Sequence, residues 1–180
     1  MRTILYDFNL KALALALYRI QKVPSSLVTT NCNRISFFLL CTQYLTWSRG
    51  SDTKDDRAFK DERTSFYKEA GNDLRLIEDS IDNDDYDTIV RKAPEIKDRA
   101  YAHQQAIQNI TVSPSLTKAK TTFDELLTKY ISFVTNMEIA AQYHISGDET
   151  ASQESMDKGV EDAQAIKKAI LKMMREMNLF

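Results

Sequence analysis

The sequence predicts an all-α protein, an antiparallel four-helix up-down bundle preceded by one or two N-terminal helices. Three observations carry this. Beyond Gly50, four long segments keep apolar residues at alternating steps of three and four, the spacing of a single helix face. Only four glycines and three prolines occur in 180 residues, too few for a sheet protein with many tight turns. Both cysteines, Cys32 and Cys41, precede residue 50, so the remainder must be held by packing and not by disulfides or thiolate metal ligands.

Charge divides the chain near the same place. Residues 1–50 carry six basic side chains against one acid, Asp7, for a formal +5; residues 51–180 carry the other 18 basic and 25 acidic residues, for −7. The expected organisation is therefore a basic, apolar N-terminal segment (1–50) and an acidic four-helix bundle (51–180). With no basic face outside the first fifty residues, nucleic acid is not an expected partner.

Within that segment, Ile4, Leu5, Phe8, Ala12, Leu13, Ala16, Leu17 and Ile20 describe an amphipathic helix ended by Pro24. A second apolar run, residues 35–45, falls short of the roughly 20 residues that span a bilayer. Three readings follow: helices packing on the bundle, a targeting signal, or an interfacial helix giving peripheral membrane contact through residues 4–45, with Lys11, Arg19 and Lys22 near headgroups. The second and third imply an exported or membrane-associated protein, the first a cytoplasmic one. Cys32 and Cys41 have no histidine nearby, so they read as buried thiols and not as a zinc site.

The first bundle seam is Phe59, Arg63, Phe66, Ala70, Leu74, Ile77 and Ile81, with Arg63 as its one charged interruption. The second runs Tyr86, Ile89, Ala93, Ile96, Ala100, His103, Ile107 and Ile110. The third uses Leu116, Ala119, Phe123, Leu126, Tyr130, Phe133, Met137, Ala140 and His144, and the fourth Met156, Val160, Ala163, Ile166, Ile170, Met173 and Met177. Stripes of this kind must find apolar partners, and short connections between them favour a bundle.

Capping chemistry sets the expected bounds at residues 54–81, 84–110, 114–145 and 150–177. Asn83 is expected to take a left-handed turn and Asp84 to cap the second helix. Ser113-Pro114 opens the third, Gly147 closes it, and Thr150 with Gln153 forms a capping box for the fourth. Pro94 predicts a kink in the second helix, because it lacks the N–H of a helical hydrogen bond. Gly71 and Gly159 stand inside helices at a cost of about 1 kcal/mol each, offset where they permit close helix contact.

No catalytic constellation emerges. The acidic run 82–87 fails as a calcium loop, with Tyr86 at the fifth position, Asp87 at the sixth and Ala93 at the twelfth, where ligand, glycine and glutamate are needed. His103 and His144 fall on core seams, but in one up-down bundle their levels differ by about 33 Å at ~1.5 Å per residue, too far for one ion. Met173 or Met174 is expected at the level of His103, so these three are the candidates for a histidine-methionine haem site. Weighed against it is a His103 satisfied by a carboxylate such as Asp61 or Glu62. Glu95 with Arg99 and Glu125 with Lys129 read as surface pairs four apart. The expectation is a non-enzymatic bundle, without cofactor or metal, acting on a protein partner or by self-association; the alternative is a ligand- or haem-binding, sensor-like bundle.

Overall fold

A computed structural model describes residues 53–176; the expectations for residues 1–50, for Cys32 and Cys41, and for Met177 lie outside the described residues. Among the described residues all regular structure is helical, in four long helices: α1 (Lys54–Asp82), α2 (Tyr86–Gln108), α3 (Thr117–Ser146) and α4 (Glu149–Glu176). A single 3₁₀ turn, Pro114–Leu116, leads into α3. No helix among them is long and apolar enough to cross a membrane.

The seams are the core. Phe59, Phe66, Ala70, Leu74 and Ile77 of α1 are buried with Ile89, Ala93, Ile96, Ala100 and Ile107 of α2. From α3 come Phe123, Leu126, Tyr130, Phe133, Met137 and Ala140, and from α4 Met156, Ala163, Ile166 and Met173. Phe66 is an aromatic hub, edge-on to Phe123 at 5.6 Å, to Tyr130 at 5.2 Å and to His103 at 5.5 Å between ring centroids. Such pairs contribute about 0.5–1.5 kcal/mol each beyond the area they bury. His144 departs from its seam: it is exposed beyond the last core layer, stacked on Tyr86 at 3.8 Å.

The ends follow the capping rules with shifted residues. At α1, Thr53 and Asp56 make a reciprocal capping box, and Asp56 also accepts the backbone N–H of Ser113 at 2.8 Å. That backbone hydrogen bond, the largest influence on Asp56, holds its carboxyl below the ordinary 3.8. Between α1 and α2, Asp84 and not Asn83 takes the left-handed conformation (φ 54°), and Asp85, one residue later than expected, caps α2 by accepting from the Thr88 N–H. Asn83 instead closes α1, its amide reaching the Asp79 carbonyl at 2.6 Å. Gly147 (φ 80°) ends α3 as expected. Asp148 caps α4 through the Ala151 N–H, which displaces the expected Thr150 box by two residues. Around Pro94 the helix is continuous, with Ile89 and Ala93 before or at it and Ile96 and Ala100 beyond it buried in one phase.

Helices α3 and α4 approach most closely. Buried Gly159 faces Met137, where an added Cβ would lie 2.9 Å from Sδ, and the Ser152 hydroxyl donates to the Ala140 carbonyl at 2.9 Å. Small residues let the backbones meet. Gly159→Val should destabilise the fold by about 1–3 kcal/mol through overpacking. In a denaturant double-mutant cycle with Met137→Ala, the two losses should be markedly non-additive; simple additivity would mean that Gly159 does not make room for Met137.

Candidate functional site

Buried polar side chains gather where α1, α2 and α3 meet. His103 of α2 places Nδ1 2.6 Å from Glu62 Oε1 and Nε2 3.3 Å from Glu69 Oε2, both on α1. One turn earlier on α2, Arg99 pairs with Asp73 of α1 and with Glu95 at 3.0 Å, and its Nε lies 3.9 Å from Glu69. The Tyr130 hydroxyl of α3 donates to the other Asp73 oxygen at 3.2 Å. A continuous polar chain thus runs Glu62, His103, Glu69, Arg99, Asp73, Tyr130.

Burial pushes the Asp73 carboxyl above the ordinary 3.8, opposed by the charge of Arg99. Burial, then the adjoining Asp73 charge, drives the Tyr130 hydroxyl well above 10, so it remains a donor. The Tyr67 hydroxyl points to Met173 Sδ at 3.9 Å, and burial raises it to about 12.

The three haem candidates have protein neighbours of their own. His103 has carboxylates on both ring nitrogens, Met173 carries the Tyr67 hydroxyl on its sulfur, and Met174 is buried in the core. Consecutive α1 residues make these contacts, Phe66 with His103 and Tyr67 with Met173, and both rings pack on Phe123. Of the two carboxylates anticipated for His103, Glu62 is there, and Glu69 is the partner that the sequence reading missed. Its signal was available: Glu62 and Glu69 are seven apart, two helical turns on one face. Glu95 and Arg99 pair as expected, but Lys129 reaches Asp162 at 3.3 Å and Glu125 reaches Lys172 at 3.4 Å, both across to α4. Buried Asp162 also accepts from Ser132 Oγ at 2.5 Å and Asn136 Nδ2 at 2.9 Å, a second polar node. No group of three or more histidine, cysteine and carboxylate side chains is arranged around one metal position among the described residues.

A different kind of surface lies where the α1–α2 and α3–α4 turns come together. The Tyr86–His144 stack joins these turns, and Tyr143 and Ile145, 41% and 52% exposed, flank His144 in the last turn of α3. Beside it a depression of about 410 Å³, open to solvent, includes Arg75, Leu76, Asp79, Asn83 and Asp85. Burial and the Asp84 charge raise the Tyr86 hydroxyl. The chain matches no protein-family model, no curated protein and no solved structure.

Tyr130→Phe should cost about 1–3 kcal/mol in chemical denaturation, because it strips a buried carboxylate oxygen of its donor. Asp73 has a folded pKa above its unfolded one, so its contribution is present below the unfolded value of 3.8 and lost as pH rises through the folded value. Asp73→Asn, which cannot ionise, should therefore compare more favourably with the parent chain near pH 6 than near pH 3, whatever its absolute cost. Equal offsets at both pH values would remove Asp73 from the acid limb of the stability curve.

Proposed function

We propose that this protein is a non-enzymatic helical bundle that acts through protein–protein contact, with the turn-bearing end of the bundle as its contact surface. The observation behind this is where large apolar side chains remain exposed. Among the described residues there are three, Tyr101, Tyr143 and Ile145, and the last two leave different sides of the final turn of α3, on either side of the His144 that stacks on Tyr86. Isolated exposed apolar residues are ordinary on any surface; the reading rests on two of the three standing at the place where the helix hairpins meet. The interior supports the same reading, since His103, Asp73, Tyr130 and Asp162 are engaged with one another or with neighbouring helices.

We further infer that the four helices close as an antiparallel up-down bundle. Contacting residues descend along one helix as they ascend along the next. Glu62 meets His103 and Asp73 meets Arg99; Lys97 meets Glu138 and Gln104 meets Asp124; Ser132 meets Asp162 and Thr122 meets Glu176. This arrangement carries both hairpin turns to one end, where their exposed residues form a single surface.

The reading is tested on the protein taken from its own cells by gentle lysis and sized at cellular concentration. It should migrate well above the mass of one chain and shift when Tyr143 and Ile145 are both replaced by serine. Migration as a single chain would defeat the proposal. A saturable visible absorption change when haem is titrated into the purified protein would transfer support to the haem-binding alternative.

A further inference from the structure

Of the three large apolar side chains exposed among the described residues, Tyr101 stands apart from the hairpin turns, 54% exposed on α2. It lines an open depression of about 520 Å³ with Asp98, Ala102, Gln104, Gln105 and Gln108. Residues three, four and seven apart share a helix face, so Tyr101, Gln105 and Gln108 form one strip that runs to the C-terminus of α2. Gln104 is held by Asp124 and Thr128 of α3, while Gln105 and Gln108 are exposed. Asp98 is the one charged residue of the lining. A ring face flanked by neutral amides, which both donate and accept, suits a ligand with hydroxyls at its edge and C–H groups on its face, and that describes a sugar.

The same strip leads to the one Asn-x-Thr sequence of the chain, Asn109-Ile110-Thr111. Such a motif also arises by chance, so its surroundings decide. Asn109 caps α2 and Thr111 follows in the irregular connection to the 3₁₀ turn at Pro114, and both are exposed. The Asn109 amide donates to the Gln105 carbonyl at 3.1 Å, which lays it against a residue of the Tyr101 strip. Ile110, between them, packs on the core, and Lys120 Nζ donates to its carbonyl at 2.6 Å. A group joined to Asn109 Nδ2 is thus carried outside the helices and displaces no core residue.

We propose that Asn109 carries an N-linked oligosaccharide whose sugars nearest the protein lie along α2 toward Tyr101, eight residues back or roughly 12 Å along the axis. In the transfer, Nδ2 attacks C1 of the sugar that joins a lipid-linked oligosaccharide to its diphosphate. The N–C1 bond forms as the C1–O bond breaks, the amide gives up one proton, and the lipid diphosphate leaves. A donor of this kind is met on a secretory route, so an occupied Asn109 places the chain there. The site is separate from the contact surface, whose Tyr143 and Ile145 belong to α3.

The test uses the full chain recovered from its own cells. Digestion with a peptide-N-glycosidase in heavy-oxygen water should convert residue 109 to aspartate bearing heavy oxygen, read by mass spectrometry of the peptide that contains it. Asn109→Gln and Thr111→Ala should abolish the signal, and Thr111→Ser should keep it, because serine supplies the same hydroxyl. Finding only unmodified Asn109 overturns the inference.

The path of the sugar has its own readout. Removing the glycan should lower the denaturant midpoint of the parent chain, and Tyr101→Ser should abolish most of that difference. An undiminished difference in Tyr101→Ser takes Tyr101 out of the sugar's path and overturns that part. Occupancy is read on a peptide and the sugar's path on unfolding, whereas the protein-contact reading falls only on the native mass, so the two readings fail separately.

Discussion

The contact between half-buried Arg99 and buried Asp73, with Tyr130 donating to the same carboxylate, fixes how three of the four helices meet. Its constraint is geometric more than energetic. Removing an ion pair from water costs much of what the attraction returns, so the pair is a poor source of net stability. A displaced pair, however, leaves a charge without compensation in a low-dielectric interior, and that penalty is steep. Sliding α2 by one turn against α1 would separate Arg99 from Asp73 and His103 from Glu62 and Glu69 together. Apolar seams tolerate such a slip far better, since alanine and isoleucine repeat along them at the same spacing. The polar chain therefore sets the register within which the hydrophobic stripes pack, and burial holds the Asp73 carboxyl high as the accompanying cost.

The α3–α4 interface solves the same problem by other means. There Gly159 seats against Met137 and Ser152 hydrogen-bonds directly to the Ala140 carbonyl, so shape fixes the alignment. Asp162 adds a polar pin by collecting Lys129, Ser132 and Asn136, three positions that present one face of α3. The two interfaces differ because their residues differ. Where small side chains let backbones approach, steric fit is specific enough; where large aromatics such as Phe66 and Phe123 hold them apart, polar pairs supply the specificity.

Much of this was legible in the sequence, for a physical reason. Helix formation and burial follow a periodicity that a single chain displays, so the four seams and the glycine stop at Gly147 emerged where they were expected. The errors cluster at positions where two local solutions have similar free energy. Asn83 and Asp84 both tolerate a left-handed backbone, and either can end a helix or start the next; which one does so depends on whether the Asn83 amide can reach the Asp79 carbonyl. Likewise Thr150 could have capped α4, but Asp148 follows the Gly147 turn directly and reaches the Ala151 N–H first. Lys129 had Glu125 available four residues away, a pair exposed to water and screened by it. It turned to partly buried Asp162, on a helix whose placement no local pattern discloses. His144 continued a spacing beyond the point where another helix was present to cover it.

The distribution of polar groups differs between the interior and the turns. Buried Asp56, Asp73 and Asp162 accept from backbone N–H groups, an arginine, a tyrosine, a lysine, a hydroxyl and an amide, and so tie helix ends and helix pairs together. The carboxylates of the α1–α2 and α3–α4 turns have no lysine or arginine within residues 76–90 and 139–157, and Arg75, lining the depression with Asp79 and Asp85, offsets only part of their mutual repulsion. That repulsion disfavours the compact state, if only slightly at screened surface sites. Tyr143 and Ile145 add an apolar counterpart, since each leaves surface in water. Both unfavourable features occur at turns that the Tyr86–His144 stack brings together, so the strain of exposed charge and exposed apolar surface collects where packing ends and not along the seams.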